Sequence, residues 1–161
     1  GIAAARGEVL VFIDGDGQDD PADLPRLLAP LADGARFVNG SKFIGAIEAG
    51  GISTPNFWGN RFMSALIGLL FGGAVTDSQS GFRVIDAALA KSWRLRSREY
   101  EIETEMLCRA RRAGVAVVEA PVTRRARTAG RTGFRRVRNG LRILATIVRE
   151  RLTPRPKHGG G

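Results

Sequence analysis

The chain of 161 residues has one cysteine, few aromatic residues and no long apolar run. A single cysteine, Cys108, excludes an internal disulfide framework and a multi-cysteine metal site, and its place in a predicted helix indicates a small buried hydrophobe. No 18-residue apolar stretch occurs and no basic-then-apolar signal pattern opens the chain, so neither a membrane span nor export is predicted. Apolar residues make up 43% and aromatic residues 7%, an ordinary composition for one globular domain.

Positive charge is concentrated in the last third of the chain. The net charge is +9, and residues 121–161 carry 12 Lys or Arg against one acid, Glu150. Such a block is often only a solvated face, and any partner should be anionic: nucleic acid, phospholipid head groups or a phosphorylated substrate. No aromatic residues interleave with the arginines of residues 121–133 and no nucleic-acid motif is present, so we expect no nucleic acid partner.

The chain opens with signals for a strand followed by a helix. Val9–Ile13 is a continuous apolar run, which predicts a strand buried on both faces in a parallel sheet. Asp20 and Pro21 supply an N-cap and a first-turn residue, and leucines then recur at helical spacing until Gly34. These elements form a βα unit with an acidic loop between strand and helix.

The rest of the chain alternates helical and strand patterns, which predicts an α/β layered domain. About three strands are visible and the first residues resemble the end of a helix, so we expect the beginning of the domain to be missing. The predicted segments are a strand at 36–39, a Gly-rich functional or mobile loop at 40–55, a helix at 56–71, a polar turn within 75–84, a short helix capped by Asp86, a helix at 100–113, a strand at 115–118, an amphipathic helix at 134–153 and a disordered tail at 154–161.

The last predicted helix has one apolar stripe, and its arginines lie mostly off that stripe. This pattern is typical of a helix in a membrane interface and equally of a helix that packs on its own domain, and the sequence leaves both possibilities open. The stripe consists of Phe134, Val137, Leu141, Leu144, Ala145, Val148 and Leu152.

The acidic loop after the first strand, in "VLVFIDGDGQDDP", is a candidate metal site. Asp14 and Asp16 stand one residue apart at the carboxyl end of the strand, the edge where open α/β sheets bind ligands. Two such carboxylates can approach one hard cation, Mg²⁺ or Mn²⁺, and Gln18 can add an amide oxygen. The remaining acids are interpreted as favourable charge at the N-terminus of the next helix. They are Asp19, Asp20 and Asp23.

Four motifs in order strengthen this interpretation: "FIDGDGQDDP", "NGSKF", "DSQSGFRV" and "YEIETEMLCRARRAGVAVVEAPVTRRAR" followed by "GRTG". Together they resemble the family 2 glycosyltransferases, which have the GT-A fold, a Rossmann-like layered sheet, and in particular their polyprenyl-phosphate branch. The resemblance covers residues 1–133 and implies a partial GT-A domain. Because relatives begin with a strand and loop that bind the nucleobase, we expect this chain alone to bind donor poorly.

The resemblance implies roles at the donor end of the site. Asp14 and Asp16 would hold the divalent ion that bridges the donor diphosphate, with Gln18 as a third contact. Lys42 stands where the family usually has arginine, so a cationic role near phosphate is implied without bidentate geometry. Arg61 matches a family arginine directed at the active site, although a solvated helix residue explains it equally well.

The resemblance also implies residues at the reacting and acceptor end. Asp77, Ser80 and Arg83 match a DxxSGFR segment, and positioning is favoured over proton transfer for Asp77 because a phosphate acceptor is already ionised. Glu103 matches a helix motif near the acceptor, against the alternative of a solvated helix face. The arginines predicted to clamp phosphate oxygens are Arg124, Arg127 and Arg131.

The predicted function is metal-dependent transfer of a hexose, with inversion, from a nucleoside diphosphate sugar of the GDP-mannose or UDP-glucose type to a polyprenyl phosphate. The predicted location is the cytoplasmic face of an anionic membrane, bound peripherally. Two alternatives stay open. A related transferase could act on a sugar hydroxyl with Asp77 as base, or the chain could be a basic membrane-binding module without chemistry.

Overall fold

The computed structural model describes residues 1–127 and 135–154. In that part of the chain one four-stranded mixed sheet carries helices on both faces. The α/β layered architecture predicted from the sequence is therefore confirmed. The elements are β1 (Val9–Phe12), α1 (Leu24–Ala32), β2 (Phe37–Ile47), α2 (Thr54–Phe71), β3 (Arg83–Asp86), α3 (Ala87–Ser92), α4 (Ile102–Arg112), β4 (Val117–Arg124) and α5 (Arg136–Leu152).

The strand order is β1-β3-β2-β4. Strand β3 is antiparallel to both of its neighbours, whereas β2 and β4 are parallel. The carboxyl ends of β1, β2 and β4 consequently meet the start of β3 at one edge of the sheet. The sequence does not predict strand β3. Its four residues directly follow a polar turn, and they are too few to show an alternating strand pattern of their own.

Two hydrophobic clusters cover the two faces of the sheet. Helix α1 packs over β2, β3 and β4, where Leu27 and Val38 are fully buried. On the other face, α2, α4 and α5 share a larger core that contains Ile67, Leu107 and Ile147. The last helix is thus part of the main core, while the predicted domain boundary at residue 133 lies outside the described residues.

The prediction that β1 is a parallel strand buried on both faces is wrong. In the described sheet β1 is an edge strand, antiparallel to β3, and only Leu10 is buried. Val9, Val11 and Ile13 are 39–44% exposed. The physical reason is that α1 covers the other three strands, so that the alternate residues of β1 lack a helix above them.

The predicted loop at residues 40–55 is wrong over its first half. Strand β2 continues to Ile47, with a register shift against β4 between Ser41 and Ala46. Gly45 lies at this irregularity, where a Cβ atom would be 2.2 Å from the carbonyl oxygen of Val122. The glycines that suggested a loop instead allow two strands to approach closely at a bulge.

The predicted helices are confirmed with shifts of a few residues at their ends. Asp20 caps the turn before α1 by accepting from the backbone nitrogen of Ala22, and Asp86 caps α3 by accepting from that of Leu89. Cys108 is buried in α4, and burial raises the pKa of its thiol to about 12. The predicted strand at 115–118 begins two residues later and extends to Arg124.

Most of the predicted apolar stripe of helix α5 is exposed, although Leu144 is half-buried and Phe134 lies outside the described residues. The buried face of the helix is formed by residues off that stripe, including Ile143, Ile147 and the ion-paired Glu150. Arg109 and Arg112 of α4 hold Glu150, the latter at 2.7 Å, which fixes α5 to the domain. No helix in the described ranges is long and apolar enough to cross a membrane.

Candidate active site

A cavity of about 860 Å³ lies at the edge of the sheet where β1, β2 and β4 end and β3 begins. Its floor is made by the acidic loop after β1 and the loop before β3, and its sides by the N-terminal halves of α2 and α5. A volume of this size is typical of small-molecule sites. Of the residues predicted to act, those that line it are Asp14, Asp16, Gln18, Lys42, Asp77, Ser80, Glu103, Arg124 and Arg127.

The two aspartates of the DxD motif face the same part of this cavity. Arg124 lies 4.0 Å from Oδ2 of Asp14 and 3.4 Å from Oδ2 of Asp16, so both carboxylates converge on one guanidinium group. Gly81 packs directly against the first of them, since a Cβ atom there would lie 2.2 Å from Cγ of Asp14. The glycine before β3 therefore provides the space that the Asp14 carboxylate occupies.

Gln18 is buried and held in one orientation. Its side-chain nitrogen donates to the carbonyl oxygens of Gly51 and Arg125 at 3.3 and 3.0 Å, and its backbone nitrogen donates to Oδ1 of Asp16 at 3.0 Å. The amide oxygen is consequently turned toward the cavity, next to Asp16. This is the orientation that the predicted third contact requires.

Asp19 does not serve the helix N-terminus as the sequence suggested. It is buried and accepts from Nη1 of Arg124 at 3.0 Å, and burial raises the pKa of its carboxyl although Arg124 opposes the shift. Asp23 stands at the N-cap position of α1 without a capping bond and accepts from the backbone nitrogen of Thr123 at 2.6 Å. Asp20 remains the capping residue.

Asp77 has both carboxylate oxygens engaged. Nζ of Lys42 lies 2.5 Å from Oδ2, and Nδ2 of Asn60 donates to Oδ1 at 2.7 Å. The backbone nitrogens of Thr76 and Asp77 donate to Glu119 on β4, at 2.9 and 3.2 Å. An aspartate that is 1% exposed and paired in this way is suited to positioning its surroundings.

Glu103 is a partly buried titratable residue that lines the cavity. Burial raises the pKa of its carboxyl to about 7, although the charge of Arg83 lowers it. Arg83 itself is fully buried and does not line the cavity; it donates to the carbonyl oxygens of Glu103, at 3.0 Å, and Ser80. Its contacts tie the loop before β3 to the start of α4, which is a positioning role.

Two predicted residues in the described part of the chain make limited or no contribution to the cavity. The hydroxyl of Ser80 lines it but is engaged with the backbone of Phe82. Arg61 lies outside the cavity, donates to the carbonyl oxygen of Thr76 at 3.3 Å and is stacked 5.6 Å from the ring of Phe43. Arg131 falls outside the described residues.

The sequence patterns did not predict the cavity residues that α2 and α5 contribute. Asn60 orients Asp77, and it could have been suspected because it shares the buried face of α2 with Ser64, one turn away. Arg136 and Gly140 of α5 also line the cavity, yet a helix distant in sequence carries no local sign of such a position.

The donor set fits a divalent ion that takes its remaining ligands from substrate and water. Within residues 1–127 and 135–154, no three Asp, Glu, His or Cys side chains form a ready metal centre. What converges is two carboxylates and one amide oxygen, from Asp14, Asp16 and Gln18. Mg²⁺ and Mn²⁺ commonly combine such a set with substrate phosphates and water.

Solved structures show which class of fold this is. Glucosyl-3-phosphoglycerate synthase from Mycobacterium tuberculosis, in complex with Mn²⁺, uridine diphosphate and phosphoglyceric acid, superposes with a TM-score of 0.71 over 95% of this chain and 52% of that one, at 21% identity. A complex of the same synthase with Mg²⁺ and uridine diphosphate gives a TM-score of 0.70. The chain has the α/β GT-A fold.

The family follows from the sequence match. Residues 1–93 match the model of glycosyl transferase family 2, so the chain belongs to that family. It is 32% identical over 118 residues to UDP-N-acetylglucosamine–dolichyl-phosphate N-acetylglucosaminyltransferase of Methanococcus voltae, covering 71% of this chain and 47% of that one. It is also 32% identical over 129 residues to undecaprenyl-phosphate mannosyltransferase of Micrococcus luteus, covering 72% and 49%. The chain spans about half the length of these relatives.

Proposed function

We propose that this chain is the catalytic part of a glycosyltransferase that moves a hexose from a nucleoside diphosphate sugar, of the GDP-mannose or UDP-glucose type, to a polyprenyl phosphate, with inversion at the anomeric carbon. The observation that carries this proposal is the wall of the cavity. The N-terminal halves of α2 and α5 line the cavity, and both helices also carry exposed apolar side chains. A lipid acceptor needs both features, because its phosphate must reach the site while its chain stays on apolar surface.

The two helices run side by side in the same direction. Their N-terminal halves line the active-site cavity, and their C-terminal ends, at Phe71 and Leu152, line a second, smaller cavity. We name the exposed apolar residues of these two helices the α2–α5 surface. It contains Trp58, Phe62 and Leu69, exposed by 61–81%, and Val137, Leu141, Val148 and Leu152, exposed by 46–78%.

Charge makes an anionic bilayer the best match for this surface. The exposed arginines of α5 include Arg136, which lines the cavity, and Arg151 near the other end of the helix. Apolar side chains flanked by arginines suit a helix in the membrane interface, and the negative potential of a cytoplasmic leaflet attracts basic segments. We therefore place the chain, as part of this proposal, peripherally at the cytoplasmic face of a membrane.

The chemistry requires little proton transfer. An oxygen of the acceptor phosphate, already ionised near neutral pH, attacks the anomeric carbon, a carbon–oxygen bond forms, and the bond to the donor diphosphate breaks as that group leaves with the electron pair. Arg124 and Arg127 provide positive charge where the diphosphate becomes more negative. Lys42 stays paired with Asp77 and keeps the floor of the cavity rigid.

The donor set of Asp14, Asp16 and Gln18 would hold a Mg²⁺ or Mn²⁺ ion. When bound, such an ion acts as a Lewis acid that stabilises the leaving diphosphate. The protein residues supply the remaining requirements, which are orientation of both substrates and exclusion of competing water.

A second candidate function, transfer to a sugar hydroxyl, would need a general base. Asp77 is a poor candidate because both of its oxygens are paired and it is almost fully buried. Glu103 is the observation that favours this alternative, since a cavity carboxyl with a pKa of about 7 is matched to proton abstraction near neutral pH.

The proposal is tested by incubating the natural polypeptide that contains this sequence with labelled UDP-glucose or GDP-mannose, Mn²⁺ and polyprenyl phosphate in anionic vesicles. We expect labelled glycosyl lipid, and Asp16→Asn should abolish its formation. Retention of most activity in Asp16→Asn, or transfer only to added oligosaccharides, would contradict the proposal.

A further inference from the structure

Two arginines contact the oxygens that the proposed metal site would use. Nη2 of Arg127 lies 2.7 Å from Oδ2 of Asp16 and 2.9 Å from Oε1 of Gln18. Nη2 of Arg124 lies 3.4 and 3.0 Å from the same two oxygens. Each of these oxygens therefore already has two guanidinium partners, and the contacts of Arg127 have the short distances of charge-assisted hydrogen bonds.

The two arginines are held to different degrees. Arg124 is the last residue of β4, forms an isolated β-bridge with Asp19 and pairs with its carboxylate. The backbone after it is fixed as far as residue 126, because the nitrogen of Arg125 donates to the carbonyl of Gln18 at 2.7 Å and that of Ala126 to Glu48 at 3.0 Å. Arg124 is thus built into the sheet edge.

Arg127 lies one residue beyond this anchored backbone. Its side chain is 27% exposed, and in the described part of the chain its hydrogen-bond and ion-pair partners are Asp16 and Gln18. It can leave these partners by rotation about its own side-chain bonds, with no change in the sheet.

We infer that Arg127 is an internal counter-cation of the DxD motif that is exchanged for the divalent ion, and that the released guanidinium then binds diphosphate oxygens. This inference rests on the proposed function for the identity of the metal site. The reason is charge: a divalent ion and Arg127 cannot both sit close to the Asp16 and Gln18 oxygens, because they repel each other in a partly buried site. A donor diphosphate offers the displaced arginine a bidentate anionic partner.

The exchange predicts opposite effects of one substitution on two ligands. In Arg127→Gln, the affinity for Mn²⁺ alone should rise about three- to tenfold, since the competing ion pair is gone. The affinity of the Mn²⁺-loaded variant for inorganic pyrophosphate should fall by a similar factor, since the released cation is missing. A variant that merely folded poorly would weaken both.

The experiment measures free Mn²⁺ by electron paramagnetic resonance, and pyrophosphate binding by titration calorimetry, for the wild type and three variants. Arg125→Gln is the matched control, because Arg125 pairs with Asp20 and does not line the cavity, and it should leave both affinities unchanged. Unchanged or weaker Mn²⁺ binding in Arg127→Gln overturns the inference.

Asp16→Asn separates this inference from the proposed function. If Asp16→Asn loses Mn²⁺ and Arg127→Gln gains affinity, both stand. If Asp16→Asn loses Mn²⁺ but Arg127→Gln does not change, the exchange alone is wrong. If Asp16→Asn binds Mn²⁺ as the wild type does, or if none of the proteins binds it, the metal site and the exchange are both wrong.

Discussion

Nζ of Lys42 lies 2.5 Å from Oδ2 of Asp77, and both side chains are buried in the lining of the active-site cavity. The two residues are 35 positions apart in the chain and belong to two different sequence motifs. The sequence predicts Lys42 as a cation near phosphate and leaves Asp77 open as a base. In the structure the two side chains form an ion pair that supports the floor of the site.

Loss of one member of this pair should be costly for stability. Lys42→Met leaves a buried carboxylate unpaired, and we expect the free energy of unfolding to fall by about 3–5 kcal/mol in urea denaturation. The double variant Lys42→Met with Asp77→Asn should lose clearly less than the sum of the two single changes, because no charge is then left alone. Lys91→Met, at an exposed position of α3, is the control and should change little. Additive losses would show that the pair is not coupled.

Gly81 should be required for the metal site. A methyl group at this position would occupy the space of the Asp14 carboxylate, so Gly81→Ala should lower Mn²⁺ affinity by about tenfold, in the range expected when a ligand-supporting contact is lost. The control lies in the same cavity: a Cβ atom at Gly15 would meet nothing within 4 Å, so Gly15→Ala should bind Mn²⁺ nearly as the wild type does. Equal affinities in the two variants would refute this role. Thermal unfolding of both proteins checks that folding is retained.

Glu103 should make stability depend on pH. Its pKa is about 7 in the folded protein against an ordinary value of 4.5, so its contribution is full below pH 4.5 and is lost as the pH rises through 7. On this account the free energy of unfolding should fall by roughly 3 kcal/mol at most over that interval. Glu103→Gln should remove this part of the slope, whereas Glu8→Gln at an exposed position should keep it. The measurement is urea denaturation at several pH values with a chelator present, and parallel slopes in all three proteins would contradict the assignment.

The α2–α5 surface should bind anionic vesicles. Replacing Phe62 and Leu141 together with serine removes two exposed apolar side chains, and we expect binding to phosphatidylglycerol vesicles in a sedimentation assay to weaken about tenfold or more. The matched control is Val11→Ser with Leu28→Ser, two exposed positions on β1 and α1. Binding should also weaken as salt is raised, because arginines contribute to it. Equal losses in the two double variants, or a wild type that does not bind vesicles, would contradict a membrane-binding role of this surface.

Local signals were sufficient for much of the fold. The capping residues Asp20 and Asp86 and the helices α2, α4 and α5 were found within a few residues, because periodicity and caps act over one or two turns. The DxD position also followed from local sequence, since it directly follows an apolar strand. The full length of β2 and the presence of β3 were not predicted. The glycines of β2 and the polar turn before β3 both have the composition of a loop.

The partners of the site residues could not be read from the sequence. Asp19 was assigned to a helix it does not cap, and the structure pairs it with Arg124, 105 residues later. Arg83 was expected among the acting residues, and the structure buries it behind Ser80 and Glu103. Such pairings depend on which strands become neighbours, and no local pattern records that order.

Three features depend on residues close together in the chain and can be predicted without the fold. They are the acidic loop after an apolar strand, the positions of the helices and the basic character of the last third. Other features are visible only in the folded chain: α5 exposes Leu141 and Leu152, Lys42 pairs with Asp77, and Arg127 contacts the oxygens of Asp16 and Gln18. These relationships join segments brought together by the strand order β1-β3-β2-β4. Burial and charge pairing depend on neighbours in space. A local sequence pattern can identify one residue of such a contact, but it does not identify the partner.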